Sequence, residues 1–215
     1  MVYAPRTTTG PVATSMPFTV QSDQSTESGY LASDFVFGNS AVAYTATGTV
    51  VSNVTLHHGM SKLILNVQDM VSSTATISNL QKVVLGSVRF PIYVDAYTDM
   101  THTVNSVSDL ATAVTTGGST GTVTLLDTSK EETETPHQMA AIIPPQTINT
   151  TGINLTLTFH YEDGDVTYEG TLNGVFAAGY SYEYTVTVSQ KGLTISNAHI
   201  VPWGTGEGDT KKIDN

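Results

Sequence analysis

Residues 153–168 read INLTLTFHYEDGDVTY and decide the fold class. Along 153–159, aliphatic or aromatic residues alternate with asparagine and threonine, so a period of two places the apolar side chains on one face of a β-strand. Asp163 and Gly164 separate this run from the β-rich residues 166–168. An Asp-Gly pair in that position is typical of a tight hairpin, because glycine adopts positive φ without steric cost. The stretch therefore predicts two adjacent strands joined by a turn.

The same alternation recurs along the rest of the chain. Threonine and valine dominate, and both are β-branched residues that suit a pleated strand better than a helix. Short helices are predicted only at 57–62, as a single turn, and at 107–114, as a connector. Further strands are predicted at 50–56, 63–67, 82–88, 122–125, 180–188 and 193–195, with a turn at residues 191–192 before the last of them. The sequence therefore predicts an all-β protein built of antiparallel sandwiches.

Composition changes along the chain divide it into two predicted domains. A length of 215 residues fits one large or two small domains. Residues 1–29 are rich in threonine, serine and glycine and predict an arm or edge strand rather than core, whereas the polar stretch 69–79 predicts a domain boundary. We therefore predict an N-terminal domain with its arm at 1–70 and a C-terminal domain at 71–215, which ends in a polar tail at 204–215.

The charge balance and the missing cysteines exclude several classes of function. Acidic residues outnumber basic ones 19 to 8, for a formal net charge of −11, whereas binding to nucleic acid or to anionic lipid needs an excess of lysine and arginine. The chain has no cysteine, which excludes disulfides, thiolate catalysis and Cys-ligated metal centres. No apolar run approaches the roughly 20 residues of a membrane helix. Polar sequence follows Met1, so we expect a mature fragment without its targeting segment.

Candidate catalytic and metal-binding residues are sparse. His57 and His58 are adjacent, so in a strand their side chains point to opposite faces and do not share a metal ion. The acidic run 162–165 lacks the ligand spacing of a calcium loop and, like the acidic run 130–134, predicts a solvated loop. No Gly-x-Ser-x-Gly nucleophile motif occurs. We therefore expect no enzyme activity, no metal and no cofactor.

Three tyrosines, Tyr180, Tyr182 and Tyr184, alternate along one predicted strand and share a face. An exposed row of rings is a platform on which sugars stack, and this interpretation makes the protein a surface module that binds glycans. A row of this kind also packs against a neighbouring sheet with its hydroxyls at the rim, and this second arrangement is the one we expect.

Several stretches in consistent order carry a resemblance to a known family. They are YLASD at 30–34, VTLHHGMSKL at 54–63, AIIPPQ at 141–146, AGYSYEYTVTV at 178–188, LTI at 193–195 and IVPW at 200–203. Each stretch is short. Together, and in this order, they resemble the fimbrillin-like proteins of Bacteroidales over residues 30–205.

The resemblance implies a pilin or a pilus-associated subunit built from two transthyretin-like antiparallel β-sandwich domains. Subunits of this kind resemble type V pilins, which reach the cell surface as lipoproteins and are trimmed after an arginine or lysine. Trimming removes an N-terminal strand, and a strand from the next subunit fills the groove that is left. The physical basis is strand addition, since an edge with unpaired N–H and C=O groups is a template that main-chain hydrogen bonds complete.

On this resemblance, Arg6 is the candidate proteolytic processing site, and residues 57–63 and Trp203 are structural residues of the core and the domain junction. The predicted function is a structural fimbrial subunit or fimbria-associated adhesin, located in extracellular fimbriae at the outer-membrane surface. Its partners are other fimbrial subunits, in a homo- or hetero-polymer. The alternative function is a monomeric surface module that binds a glycan or a host protein.

Two departures from the family pattern affect the role of the subunit. The chain contains no cysteine that could carry a lipid, so we expect membrane attachment only through a lipid anchor that is absent from this sequence. The tail at 204–215 has one aliphatic residue, Ile213, and predicts a poor donor strand. A tip, accessory or anchor subunit therefore fits the sequence as well as a stalk subunit does.

Overall fold

The computed structural model of the protein describes residues 2–4, 16–38, 54–69, 79–94, 107–128 and 138–204. Most of the regular structure in these ranges is strand, which confirms the predicted all-β class. The strands are β1 (Val2–Ala4), β2 (Met16–Phe18), β3 (Val36–Gly38), β4 (His57–His58), β5 (Ser61–Asp69), β6 (Leu80–Val94), β7 (Val114–Asp127), β8 (Gln138–Ile143), β9 (Gln146–Tyr161), β10 (Gly164–Phe176), β11 (Tyr180–Ser189), β12 (Gly192–Ile195) and β13 (His199–Pro202). The short helices are α1 (Glu27–Leu31), a 3₁₀ turn (Val107–Asp109) and α2 (Leu110–Ala113).

The strands form three sheets. Sheet A has the order β1-β3-β4. In sheet B, β10, β9 and β6 are successive neighbours, and β2 and β7 also pair with β6. In sheet C, β8 pairs with β5, β5 with β11, and β12 and β13 pair with different halves of β11. The β5–β11 pair is parallel, which departs from the predicted antiparallel pairing. A parallel pair needs a long crossover connection, and these two strands are far apart along the chain.

The predicted hairpin at 153–168 is confirmed. β9 and β10 are antiparallel, with Gly164 opposite Tyr161 at the turn. Gly164 adopts a φ of 118°, a conformation that residues with a Cβ rarely accept. The tip is exposed, and His160 Nδ1 lies 2.7 Å from Asp165 Oδ1 there. The acidic run is therefore a solvated turn, as predicted.

Most other predicted elements occur where the sequence places them. The predicted strands at 63–67, 82–88, 122–125, 180–188 and 193–195 lie within β5, β6, β7, β11 and β12 respectively. The connector helix predicted at 107–114 is the 3₁₀ turn followed by α2. Within the predicted strand 50–56, residues 54–56 are irregular and the others lie outside the described residues.

The helical turn predicted at 57–62 is wrong. His57 and His58 form β4, which pairs with β3, and Ser61 begins β5. Pairing with strands that are distant in sequence overrides the weak local preference for a turn.

The prediction that residues 1–29 form an arm or edge strand rather than core is wrong for residues 16–20. β2 is an edge strand that pairs with the end of β6, but its Met16 and Phe18 are buried, as is Val20 after it. The alternation of these apolar residues places them on one face, and that face packs into the core. The segment therefore contributes hydrophobic burial as well as strand pairing.

The domain boundary predicted at 70/71 stays a prediction. Within the described residues, β5 lies before this boundary and pairs with β8 and β11, which lie after it. Sheet C therefore contains strands from both predicted domains.

The apolar faces of sheets B and C contribute to one hydrophobic core. β9 supplies Leu155, Leu157 and Phe159, and β11 supplies Val186 and Val188, all of them buried. Within the described ranges, no helix has the length and apolar composition needed to cross a lipid bilayer.

Candidate functional site

The candidate site is the outer edge of sheet A, where β1 pairs with β3. The antiparallel register joins three residue pairs: Val2 with Gly38, Tyr3 with Phe37 and Ala4 with Val36. Among the described strands, β1 has one neighbour in the sheet, which is β3. A strand that occupies such an edge completes the main-chain hydrogen bonds of its neighbour.

An aromatic cluster lies beside this edge. The rings of Tyr3 and Phe35 are 6.1 Å apart, and the Phe35 ring lies 4.9 Å from Phe18 and 5.8 Å from Phe37. The three phenylalanines are buried, whereas Tyr3 is half-buried. Residues outside β1 therefore supply the deeper part of the cluster, and β1 adds one outer ring.

Gly38 ends β3 at a point where another segment approaches the backbone closely. A Cβ at this position would overlap the carbonyl oxygen of Thr55 and the side chain of Val54. Glycine is therefore required by the close approach, and the end of the β3 edge is held against residues 54–55.

The other side of sheet A is held by a cluster around His58. The His58 Nδ1 atom lies 2.8 Å from Asp34 Oδ1, and the His58 ring stacks on Trp203 at 3.9 Å with a 4° angle between the planes. The Lys62 ammonium lies 5.8 Å from the centre of the same indole ring. The Trp203 main-chain N–H donates to the Gly179 carbonyl. These contacts attach β4 to the end of β13 and agree with the structural role predicted for 57–63 and Trp203.

His57 differs from His58 because neither of its ring nitrogens has a hydrogen-bond partner among the described residues. Both nitrogens are buried, and so is Nε2 of His58. Buried polar atoms without partners are uncommon and destabilise the folded state. Among the described residues, no three histidine or acidic side chains are grouped so that they could hold a metal ion.

Residues 22–24 close the facing edges of sheets B and C. The Thr124 N–H of β7 donates to the Ser22 carbonyl, and the Gln24 N–H donates to the Thr124 carbonyl, both at 2.8 Å. The Gln24 side chain forms hydrogen bonds with both main-chain groups of Ile142 in β8. Its amide nitrogen donates to the Ile142 carbonyl at 2.8 Å, and its amide oxygen accepts from the Ile142 N–H at 2.7 Å. The segment after β2 is therefore fixed to two sheets.

The difference between the two N-terminal strands defines what the site can do. β2 has buried side chains and is followed by residues 22–24, which join two sheets, whereas β1 is held by three residue pairs and one outer ring. Arg6 follows β1 and precedes β2 in the sequence and lies outside the described residues. Of the two N-terminal strands, β1 therefore has fewer described contacts with the rest of the fold.

The tyrosine row packs into the protein as predicted. Tyr182 and Tyr184 are 4% and 5% exposed, so the alternative of an exposed stacking platform is wrong. The Tyr182 ring meets Phe176 of β10 edge-on at 5.0 Å, and its hydroxyl accepts a hydrogen bond from the Ala177 N–H at 2.7 Å. Burial raises the pKa of Tyr182 and exceeds the lowering effect of that hydrogen bond. Tyr180 is half-buried.

The roles of Gln24 and Asp34 are not predictable from the sequence. Gln24 bonds to a residue 118 positions away, and Asp34 to one 24 positions away. Neither residue belongs to a local pattern that indicates its partner. The acidic run at 130–134 lies outside the described residues.

Comparison with known proteins gives one family and a set of similar structures. A model of a family described as fimbrillin-like matches residues 1–203. A candidate cell adhesion protein from Bacteroides uniformis aligns with a TM-score of 0.67 at 17% identity, over 94% of this chain and 71% of that chain. A second candidate cell adhesion protein, from Bacteroides ovatus, aligns with a TM-score of 0.61 at 20% identity, over 95% and 67% of the two chains. These two similarities support the fold.

A third solved structure is less similar. The tip fimbrial protein Mfa3 from Porphyromonas gingivalis aligns with a TM-score of 0.40 at 11% identity, over 69% of this chain and 52% of that chain. This TM-score is too low to support a conclusion about the present chain. A search of curated proteins finds no match.

Proposed function

Because the chain belongs to the fimbrillin-like family, we propose that it is a non-enzymatic fimbrial or cell adhesion protein that joins other subunits at the bacterial cell surface by β-strand complementation. The observation that carries this proposal is the position of β1 at the edge of sheet A, where three residue pairs join it to β3. A strand from another subunit takes the place of β1 on β3 and restores the same main-chain pairing.

The chemistry of the incoming strand follows from the register at this edge. It runs antiparallel to β3 and places an apolar or aromatic side chain opposite Phe37, where Tyr3 packs on Phe35. A one-residue slip would turn that side chain to the opposite face and leave the aromatic cluster uncovered. Main-chain bonds supply the attachment, and this one side chain sets the register.

Proteolytic cleavage after Arg6 is the proposed trigger. Cleavage separates β1 from β2, so that the contacts which hold β1 among the described residues are its pairing with β3 and the packing of Tyr3 on Phe35. Each main-chain hydrogen bond contributes about 0.5–1.5 kcal/mol net. The loss of a few such bonds is small beside a typical folding free energy of about 5–15 kcal/mol, so the remaining fold survives the loss of β1.

The proposed partners are other fimbrial subunits, identical to this chain or different from it. Every copy carries a formal charge of −11, so copies repel one another at long range and attraction must come from short-range strand pairing and apolar contact. The role within the fimbria, whether stalk, tip, accessory or anchor, follows from which partner supplies the strand. The alternative of a monomeric glycan-binding module loses its original basis, because two of its three tyrosines are buried.

Digestion of the full chain with an arginine-specific protease tests the proposal. The chain has two arginines, Arg6 and Arg89. Arg89 lies inside β6, paired with β7, and its N–H donates to the Gln146 side chain. Cleavage at Arg89 therefore reports unfolding and serves as an internal control. Mass spectrometry and size-exclusion chromatography follow the products.

We expect cleavage after Arg6 alone, followed by oligomers on the column, and we expect the Arg6→Ala variant to remain uncut and monomeric. A product that is cut after Arg6 and stays strictly monomeric at every concentration would contradict strand complementation between identical copies. A folded chain that is not cut at Arg6 would contradict the processing role of this residue.

A further inference from the structure

A small pocket opens where the β10 edge of sheet B faces β12 and β13 of sheet C. Its volume is about 250 Å³, and its lining includes Asn173, Val175, Tyr182, Tyr184, Asn197 and Ile200. We call it the β10–β13 pocket. It lies away from the β1–β3 edge and belongs to different strands.

Two irregularities of the fold create this pocket. The β9–β10 ladder shifts register between Leu172 and Gly174, and Gly174 adopts a φ of 142°. On the opposite wall, β12 pairs with residues 186–189 of β11, while β13 pairs with residues 180–183. The stretch of β11 between these two ladders contains Tyr184, and the connector at 196–198 passes beside it. The pocket therefore opens at Tyr184.

The Tyr184 hydroxyl is the unusual group in the pocket. The side chain is 5% exposed. Among the described residues the hydroxyl has no hydrogen-bond partner. The hydroxyl oxygen is also not fully buried, unlike the unpartnered nitrogens of His57 and His58. It therefore opens onto the pocket that Tyr184 lines. A buried tyrosine hydroxyl usually has a partner, which makes this one available to a ligand.

The hydroxyl acts as a hydrogen-bond donor at physiological pH. Burial raises the pKa of Tyr184 to about 12, with a smaller contribution from neighbouring Tyr182. The phenol therefore keeps its proton and can donate it to a ligand oxygen. The Tyr182 hydroxyl differs because it already accepts a hydrogen bond from the Ala177 N–H.

The remaining lining selects an uncharged ligand with both polar and apolar surface. No lining residue is charged, and the chain as a whole is acidic, so no positive charge compensates an anion and the net charge of the chain disfavours its approach. Asn173 and Asn197 present exposed amides, which donate and accept. Val175 and Ile200 are 58% and 53% exposed and supply apolar contact. A few placed polar groups within an apolar lining are typical of small-molecule sites.

We propose that the β10–β13 pocket binds the terminal unit of a neutral sugar, with the Tyr184 hydroxyl donating a hydrogen bond to a sugar oxygen. The amides of Asn173 and Asn197 bond to further sugar hydroxyls, and Val175 and Ile200 contact the apolar face of the ring. This mode uses a tyrosine hydroxyl within a pocket instead of stacking on exposed rings. It does not depend on strand complementation and is expected of the uncut monomer.

The pocket volume sets the size of the ligand. Sites for drug-sized ligands occupy about 300–1,000 Å³, so a pocket of about 250 Å³ accommodates a single ring of a longer glycan. Val175 and Ile200 line the pocket and are exposed to solvent. The remaining units of the glycan would therefore extend into solvent beside them.

Nuclear magnetic resonance titration of the isotope-labelled full chain tests this proposal. The probes are galactose, mannose, fucose and N-acetylgalactosamine, with glucuronic acid as the charged comparison. At least one neutral sugar is expected to shift the amide signals of 171–175 and 196–198 in a saturable way, and glucuronic acid is not. Tyr184→Phe removes one hydrogen bond to the sugar and is expected to lower the affinity for that sugar by about 3- to 10-fold.

Matched variants separate the role of Tyr184 from a general effect on folding. Tyr184→Phe removes a hydroxyl without a partner among the described residues, so the variant is expected to fold. Tyr180→Phe makes the same chemical change on the same strand at a residue outside the pocket lining and is expected to bind the sugar as the wild type does. Asn173→Ala is expected to weaken binding as well.

Three outcomes would overturn the proposal. The first is the absence of saturable shifts with every neutral sugar. The second is sugar binding that Tyr184→Phe leaves unchanged. The third is that the pocket signals respond to an extended peptide and to no sugar, in which case the pocket is a site for strand addition at the β10 or β13 edge.

Discussion

At the scale of single residues, Gln24 connects two sheets through its side chain and its main chain. Its side-chain amide bonds to both main-chain groups of Ile142, and its own N–H bonds to Thr124, so one residue joins β8 to β7. The side chain is fully buried. Removal of the amide leaves a buried donor and a buried acceptor without partners, and each such group costs about 1–3 kcal/mol.

Gln24→Ala is therefore expected to lower the free energy of unfolding by about 2–6 kcal/mol, measured by urea titration. Gln21→Ala is the matched control, because Gln21 is exposed and takes part in the contacts around Gln24 through its main-chain carbonyl. The control is expected to remain within about 0.5 kcal/mol of the wild type. Equal destabilisation by the two variants would show that the Gln24 amide does not hold β8.

Ionisation of Tyr184 makes the free energy of unfolding depend on pH in the alkaline range. Burial raises the pKa of Tyr184 to about 12 from the ordinary value of 10.0. Below about pH 10 the phenol is protonated in both states and its contribution to stability is complete. Between about pH 10 and 12 the unfolded chain loses the proton first, so the stability of the fold decreases as the pH rises.

Urea titrations of the wild type and of Tyr184→Phe at several pH values across this window check the prediction. The wild type is expected to lose on the order of 2 kcal/mol more than the variant between about pH 10 and pH 12. The variant keeps some pH dependence, because burial also raises the pKa of Tyr182. If the free energy of unfolding changed with pH in the same way in both proteins, Tyr184 would not be the source of this pH dependence.

At the scale of elements, the two N-terminal strands have opposite roles. β2 pairs with β6 and places Met16 and Phe18 in the core, whereas β1 adds three residue pairs and the outer ring of Tyr3 to sheet A. Large-to-small changes in a core usually cost more than the loss of a short edge strand, because a cavity is left behind.

Deletion of residues 1–6 is consequently expected to leave a folded chain whose free energy of unfolding, measured at a protein concentration too low for assembly, falls by at most about 3 kcal/mol. Phe18→Ala is expected to cost about 3–5 kcal/mol. Urea titration with circular dichroism compares the two proteins. A truncated chain that is unfolded, or less stable than Phe18→Ala, would mean that β1 is an integral part of the fold.

The predictability of an element from sequence depends on how local its contacts are. The β9–β10 hairpin is predictable because its turn and both alternating strands lie within 153–168. Pairing between β5 and β11, and the strand β4 in place of a helical turn, depend on contacts between distant segments. The β10–β13 pocket follows from a register shift and from the gap between two ladders on β11, neither of which has a local sequence signal.

The residues of the candidate site divide in the same way. Burial of the tyrosine row and the structural role of Trp203 follow from alternation and from the family resemblance, and the structure agrees. The His58–Asp34 contact and the Gln24 bonds involve side chains that meet only after folding. The role of Arg6 stays a prediction.

At the scale of the whole molecule, net charge controls how readily copies associate. Each chain carries a formal charge of −11. Added salt shortens the Debye length, and the repulsion between exposed charges on different copies decreases. After cleavage at Arg6, assembly is expected to accelerate at least several-fold as salt rises from about 10 mM to about 150 mM. Light scattering measures the rate, and Arg6→Ala is the control. Assembly that slows with salt would indicate that ion pairs between copies drive association.

Replacement of β1 on β3 by a strand from a partner is the step on which the proposed assembly depends. Hydrogen exchange of the peptide that contains Val36–Gly38, followed by mass spectrometry in the uncut chain, the cleaved monomer and the assembled oligomer, tests this step. We expect these amides to be protected in the uncut chain, to exchange faster once residues 1–6 are removed, and to regain protection in the oligomer. Protection of β3 that is the same in the cleaved monomer and in the oligomer would contradict strand replacement.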